Sequence, residues 1–232
     1  MHPSIPEEPR STSFDPTAAR RLREALGMTH AHVSYGIQAA YGLRVSPATV
    51  AAWELGEAFP DENELMALAG ALWCAPGDLL GAPGTLREHR VAQGIAPADL
   101  AMRIGMDPYE YERMESSGVW TGNDGQAANL AEVLKLPLRA FFQVTGRDEA
   151  LAGLLRSAVD TRWQAYVRKV AKLVPLPKPR IEQALKSLHG DYQARMAATL
   201  VRGATADNAA ADARAFLDHI VEHFWDRIDA AG

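Results

Sequence analysis

Cysteine is almost missing from this chain: Cys74 is the only one in 232 residues, so no internal disulfide can staple the fold. Its apolar surroundings, Leu72, Trp73 and Leu79, predict a buried thiol. No apolar run approaches the ~20 residues that a membrane helix needs. The start, MHPSIPEEPRSTS, lacks the basic and apolar regions of a signal peptide, which points to the cytosol. Val and Ile rarely alternate with polar residues, so nothing reads as a strand at period two and the expected class is all-α. A Gly-rich phosphate loop and a nucleophile elbow are both lacking, and Cys74 has no basic neighbour in sequence to activate it. The expectation is a protein without enzymatic activity and without a cofactor. Paired acids such as Asp61 and Glu62 are accounted for by helix capping.

What is present is apolar content, 47% of the residues, on a slightly acidic chain with 24 Lys and Arg against 29 Asp and Glu. That suffices for one to three small domains with real cores. The most informative stretch is LREHRVAQGIAPADLAMRIGMDPYEYERME, Leu86 to Glu115. A first helix carries Leu86 and Arg90 and stops near Gly94. A short second one starts at Pro97, buries Leu100 and Ile104 and ends on Gly105. A third is opened by Asp107-Pro108 and buries Tyr111 and Met114. Asp followed by Pro is a strong start signal, because the carboxylate accepts from orphan N–H groups and Pro lacks one. Gly105 suits the left-handed turn that lets two short helices cross.

This stretch resembles the lambda-repressor/Xre-type helix-turn-helix family. The matching residues are Leu86, Arg87, Arg90 and Gly94, then Leu100, Ala101, Ile104 and Gly105, then Glu115 and Gly118. The resemblance implies a scaffold ion pair between Arg90 and Glu115. A second, weaker copy precedes it: Arg23 and Gly27 stand at the spacing of Arg90 and Gly94, while Val50, Trp53 and Glu54 take the places of Tyr111, Met114 and Glu115. Arg23 and Glu54 are then the corresponding ion pair. The first copy carries six extra residues, four in its second helix, with Val33, Ile37 and Tyr41 expected inward, and two in the following turn. A closing pair of helices is expected after each third helix. The first has a capping box at Asp61 and Glu64, the stripe Leu65, Leu68, Ala69 and Leu72, and a last turn from Pro76 to Leu80. The second has Leu130, Ala131, Leu134, Phe141 and Phe142.

The expected architecture is therefore a disordered tail over 1–13, two tandem five-helix units over 14–83 and 84–146, and a three-helix bundle over 147–232. In the last region Leu151, Leu155, Val159, Trp163, Tyr166 and Val170 form one stripe. Ile181, Leu185, Leu188, Tyr192, Met196 and Leu200 form a second. Ala213, Leu217, Ile220, Val221, Phe224 and Ile228 form the third, beyond a polar linker around Gly203 to Asn208.

A helix-turn-helix sets the start of its third helix into the major groove of double-stranded DNA. The candidate contacts are Ser46, Pro47, Ala48, Thr49 and Ala52 in the first copy and Tyr109, Glu110 and Arg113 in the second, with Arg44 in the elongated turn. His30 occupies a place where the family often has a phosphate-contacting Gln. Charge opposes this reading. Residues 14–83 carry 4 basic and 8 acidic side chains, and 84–146 carry 6 and 8, whereas DNA affinity ordinarily comes from neutralising phosphates. Arg20, Arg21 and Arg23 on the first helix and the run Arg168, Lys169, Lys172, Lys178 and Arg180 supply local basicity. Two functions follow: a homodimeric bacterial transcriptional regulator of the Xre type, or an acidic scaffold that engages a protein partner. A third, small-molecule sensing, would use an anion pocket formed by Arg162, Trp163, His189, Tyr192 and Arg195. Arg162 falls within its apolar stripe and should snorkel or find an acid. His219 and His223 have the i, i+4 spacing of metal ligands, but both rings are expected opposite the apolar stripe with no third ligand, so no metal is expected.

Overall fold

Side-chain caps set the starts of the first four helices. In the computed structural model, which describes residues 13–201 and 206–230 (the side chains of 199–201 and 206–210 excepted), Asp15 accepts from the backbone N–H of Thr17 and Ala18 and opens α1, Pro16–Ala25. Thr29 opens α2, His30–Tyr41; Ser46 opens α3, Pro47–Leu55; and Asp61 with Glu64 forms the capping box of α4, Glu62–Ala71. A 3-10 turn, Pro76–Leu79, follows. The second series is α5, Leu86–Ala92, α6, Pro97–Ile104, α7, Pro108–Ser117, α8, Asp124–Val133 and α9, Leu138–Val144. Apart from an isolated bridge between Phe14 and Leu80, all regular structure among the described residues is helical.

The chain divides into two compact units, one through Thr145 and the other from Gly146. In the first, α2 is four residues longer than α6, and both end on a glycine with positive φ, Gly42 at 69° and Gly105 at 73°. Only a residue without Cβ takes that conformation at little cost. Trp53, Val33, Ile37, Leu65 and Leu68 fill one core; Leu100, Ile104, Tyr111, Met114 and Leu130 fill another. Each such side chain contributes about 1.5–3 kcal/mol by leaving water. The two series are not beads on a string. Val91 of α5 is buried in the core of the first series, and Gly94 lies against Met66 and Pro76.

Three expectations for this unit are corrected. Ser13 does not belong to a structureless tail: its carbonyl accepts from the Gly81 N–H at 2.7 Å, beside the Phe14–Leu80 bridge. Residues 1–12 lie outside the described ones. Tyr41 is not inward but 48% exposed, because its ring lies across Gly70 at the surface of α4. Cys74 is only half-buried and its neighbour Trp73 is 87% exposed, since the chain reverses there with Trp73 at a φ of 54°.

Among its described residues the second unit has five helices in place of the expected three: α10, Asp148–Asp160; α11, Val167–Leu173; α12, Lys178–Val201; α13, Ala206–Asp218; and α14, Ile220–Ala230. Thr161 leaves helical geometry, at φ −124° and ψ −125°, and a 3-10 turn, Trp163–Ala165, rotates the chain. The expected first stripe is broken as a result. Trp163 and Tyr166 are half-buried, and Val167 joins Val170 inside. The core is completed by Ile181, Leu185, Leu188, Phe216, Ile220, Phe224 and Trp225. Phe216 and Trp225 join this core although neither lay on the expected stripe. The side chain of Leu200, and the expected linker apart from the backbone of 206–208, lie outside the described residues.

Candidate nucleic-acid interface

Each helical series is held by an arginine of its first helix. In the second series Arg90, 1% exposed, donates through Nε to Glu115 Oε1 at 2.7 Å and through Nη2 to Glu115 Oε2 at 2.9 Å. Its Nη1 donates to the Ile95 carbonyl at 2.8 Å. In the first, Arg23 donates through Nε and Nη2 to both oxygens of Glu54 at 2.6 and 2.8 Å, and through Nη1 to the Met28 carbonyl at 2.9 Å. The paired fork of an arginine on a carboxylate fixes direction as well as distance. The first helix and the end of the third are thereby locked, leaving the start of the third helix free.

The two clamps have different additional partners. Glu62, at the start of α4, accepts from Arg90 Nη1 at 2.7 Å and pairs with Arg87 at 3.0 Å. Its role is therefore more than helix capping; Asp61 does the capping. The Tyr111 hydroxyl donates to Glu115 at 2.8 Å. In the first series His30 Nε2 lies 3.2 Å from Glu54, so His30 is a member of the clamp, with its side chain 37% exposed. Arg20 also reaches Glu54, donating to its backbone carbonyl at 3.0 Å.

Charge follows from these contacts. Burial pushes the Glu54 carboxyl up, but the hydrogen bonds and charges of Arg23 and His30 outweigh it and leave the pKa lowered. At Glu62 burial is likewise overcome by Arg90 and Arg87. Burial opposes the charge on Arg90, yet the contacts with Glu115 and Glu62 raise its pKa further. The Tyr111 hydroxyl is raised by burial and by the Glu115 charge, so it remains a donor.

The candidate reading residues are presented unequally. At α7, Asp107 caps the helix by accepting from the N–H of Tyr109 and Glu110, and Tyr109, 83% exposed, stands clear with Glu110, Glu112 and Arg113. At α3, Ser46 accepts from the Thr49 N–H at 3.0 Å and its hydroxyl meets that of Thr49 at 2.8 Å. Those two hydroxyls are committed to each other. Pro47 and Ala48 are exposed, Ala52 is half-buried, and Arg44 is exposed in the preceding turn.

The residues expected to form an anion pocket in the second unit each have contacts of their own. Arg162 is exposed, and Trp163 lines an open depression of about 460 Å³ with Gln164, Val167, Arg168, Lys178 and Glu182. His189 contacts the Val159 carbonyl at 2.9 Å. Tyr192 stacks on Phe216, over whose ring Arg195 sits at 4.4 Å while pairing with Asp212. The break at Thr161 sends Arg162 and Trp163 to a different set of neighbours from Tyr192 and Arg195. His223, expected to project away from the apolar stripe, stacks on Phe216 at 4.7 Å. Burial lowers its pKa, helped by Arg227 and Arg195. Among the described residues no cluster of His, Cys, Asp and Glu could hold a metal.

Sequence reasoning missed Glu62 and the Tyr111 hydroxyl. The i, i+4 spacing of Tyr111 and Glu115 was a usable signal for the second; nothing local marked the first. No protein-family model matches this chain, and the searches of curated proteins and of solved structures found no match either.

Proposed function

We propose that the chain is a DNA-binding regulator of transcription in which residues 14–146 form two tandem helix-turn-helix units, α2–α3 and α6–α7 being the two pairs. The observation that carries this reading is the repeated clamp. Arg23 with Glu54 and the Met28 carbonyl, and Arg90 with Glu115 and the Ile95 carbonyl, make the same three contacts at the same places in two helical series. Each clamp fixes the back of the third helix and leaves its first turn to face a groove.

The α7 end is the stronger reader. Arg113 can make two hydrogen bonds to a guanine edge, a contact that contributes about 1–3 kcal/mol of discrimination. Tyr109 can reach a phosphate or a base beside it. The α3 end, with Pro47 and Ala48 forward, offers methyl contacts to thymine, and Arg44 adds a phosphate contact. Glu110 and Glu112 repel phosphates on either side, which weakens non-specific binding more than specific binding when one carboxylate accepts from a cytosine amine.

The test is selection of bound fragments from random-sequence DNA at low salt with the full chain, repeated with Arg113→Ala. Recovery of a defined motif, loss of its enrichment in the variant and a steep fall of affinity with salt are the expected results. A second reading is favoured by the exposed Glu110 and Glu112 on the same turn as Arg113: an acidic scaffold that binds a protein. Failure to recover any motif even at low salt would replace the first reading by the second.

A further inference from the structure

The second unit gathers three unpaired charges around one depression. The 3-10 turn Trp163–Ala165 and α11 both pack on α12, and residues of all three line the opening of about 460 Å³: Trp163, Gln164, Val167, Arg168, Lys178 and Glu182. Arg168, Lys178 and Glu182 are exposed and have no ion-pair partner among the described residues. Other basic side chains of this unit do find acids: Arg156 pairs with Glu149, Arg195 with Asp212 and Arg227 with Asp191. Lys178 and Glu182 stand four residues apart on α12, a spacing at which opposite charges commonly meet. They do not meet here, although both line the depression.

The lining also has an aromatic member. Trp163 is half-buried, and Val167 of the same wall is buried. A partly covered indole is a rigid surface on which a planar ring stacks. The charged groups around it ask for different things. Arg168 and Lys178 attract an anion, and the planar fork of arginine suits a carboxylate or a phosphate. An ionised Glu182 is an acceptor only, so it needs an N–H donor, while Gln164 serves either way. A bare anion would be repelled by Glu182. An apolar ligand would leave all three charges unmatched.

We propose that this depression binds a small aromatic anion carrying an amino group, with the ring on Trp163, the acidic group at Arg168 and Lys178, and the amine at Glu182. The volume falls in the range of small-molecule sites. An aminobenzoic acid and a nucleoside monophosphate with an amino base both present this chemistry, one through a carboxylate and the other through a phosphate. Trp163 is the only residue shared with the anion pocket expected from the sequence.

The experiment is calorimetric titration of the full chain with 2-aminobenzoate and with adenosine monophosphate, each set against a matched anion: benzoate, which lacks the amine, and ribose 5-phosphate, which lacks the base. The expected result is binding of at least one amino-aromatic probe at one site, with a dissociation constant below about 1 mM and at least about tenfold tighter than its matched anion. Which probe binds tells whether carboxylate, phosphate or either is accepted. Arg168→Ala should weaken that probe at least about tenfold with an unchanged helical circular-dichroism spectrum; should the spectrum change, Lys178→Ala replaces it as the deciding variant. Failure of both probes to bind overturns the proposal. Equal affinity for a probe and its matched anion overturns it too, leaving only a general attraction of anions to basic side chains. So does binding that the deciding variant leaves unchanged, which would place the ligand elsewhere. None of these residues belongs to α3 or α7, so the result is independent of the DNA-binding reading.

Discussion

Arg23 and Arg90 do the same work in the two helical series and do it under different conditions. Arg23 keeps 13% of its side chain exposed and pairs with one buried acid, Glu54, while Arg90 keeps 1% and is held between two acids, Glu115 and Glu62. The extra burial of Arg90 arises because α5 packs into the core of the first series through Val91. A guanidinium removed from water that completely needs every N–H satisfied, and Glu62 supplies acceptors that would otherwise come from solvent. The lesson is that packing the two helical series against each other turned a pair into a bridge, and Glu62 is the residue that records it.

The largest expected effect comes from removing that bridge. Arg90→Ala leaves two carboxylates facing a hydrophobic gap, and breaking a buried ion pair in this way costs about 3–5 kcal/mol. The matching change Arg23→Ala leaves one acid beside His30 and Arg20, and should cost less, on the order of 1–3 kcal/mol. Urea unfolding midpoints of the two variants decide the matter; equal losses would mean that Glu62 adds nothing. Acid comes next. The folded pKa values of Glu54 and Glu62 are lowered from the ordinary 4.5, so the stability they give is complete above that value and is lost as pH falls through the folded ones. His89 acts earlier: burial lowers its pKa from 6.5, so the unfolded chain takes up protons first and stability begins to decline below that pH. A melting temperature that stays flat from pH 7 to well below 4.5 would contradict both assignments.

Much of this organisation could be read from local signals. Asp107-Pro108, Gly105 and the Asp61–Glu64 box are contained within a few residues, and the caps form where that grammar puts them. The two Arg–Glu pairs were legible through the family resemblance and not through a repeated spacing, since Arg23 and Glu54 are 31 residues apart and Arg90 and Glu115 are 25. Glu62 was not, since its partner lies 28 residues away in the other series and its neighbour Asp61 offered a sufficient local reason for an acid there. In the second unit the stripe through Leu151, Leu155 and Val159 runs on at helical spacing into Trp163, and periodicity cannot see that Thr161 leaves the helix. That single break is why Trp163 and Tyr166 are half-buried and Val167 takes the inward place.

The comparison of the clamps sharpens further with Glu62→Gln, which keeps the shape and removes the charge. Arg90 then retains Glu115 and Ile95, an arrangement close to that of Arg23. The expected loss is about 1–2 kcal/mol, measured as the midpoint shift at constant slope of the unfolding curve. A loss as large as that of Arg90→Ala would make Glu62, and not Glu115, the main partner.

The smallest effect is expected at His30. Its contact with Glu54 is 3.2 Å and its side chain is 37% exposed, and pairs open to solvent in this way contribute about 0–1 kcal/mol. Glu54 keeps both hydrogen bonds from Arg23 when His30 is removed, so His30→Ala should shift the urea midpoint little. On the DNA-binding reading proposed above, the same variant then becomes an informative probe of DNA affinity, because a change in binding cannot be ascribed to unfolding. If His30 lends its exposed edge to a phosphate, the variant weakens binding uniformly across sequences and reduces the salt slope. If it serves only the clamp, affinity and slope both stay where they were, and phosphate contact in the first series falls to Arg44.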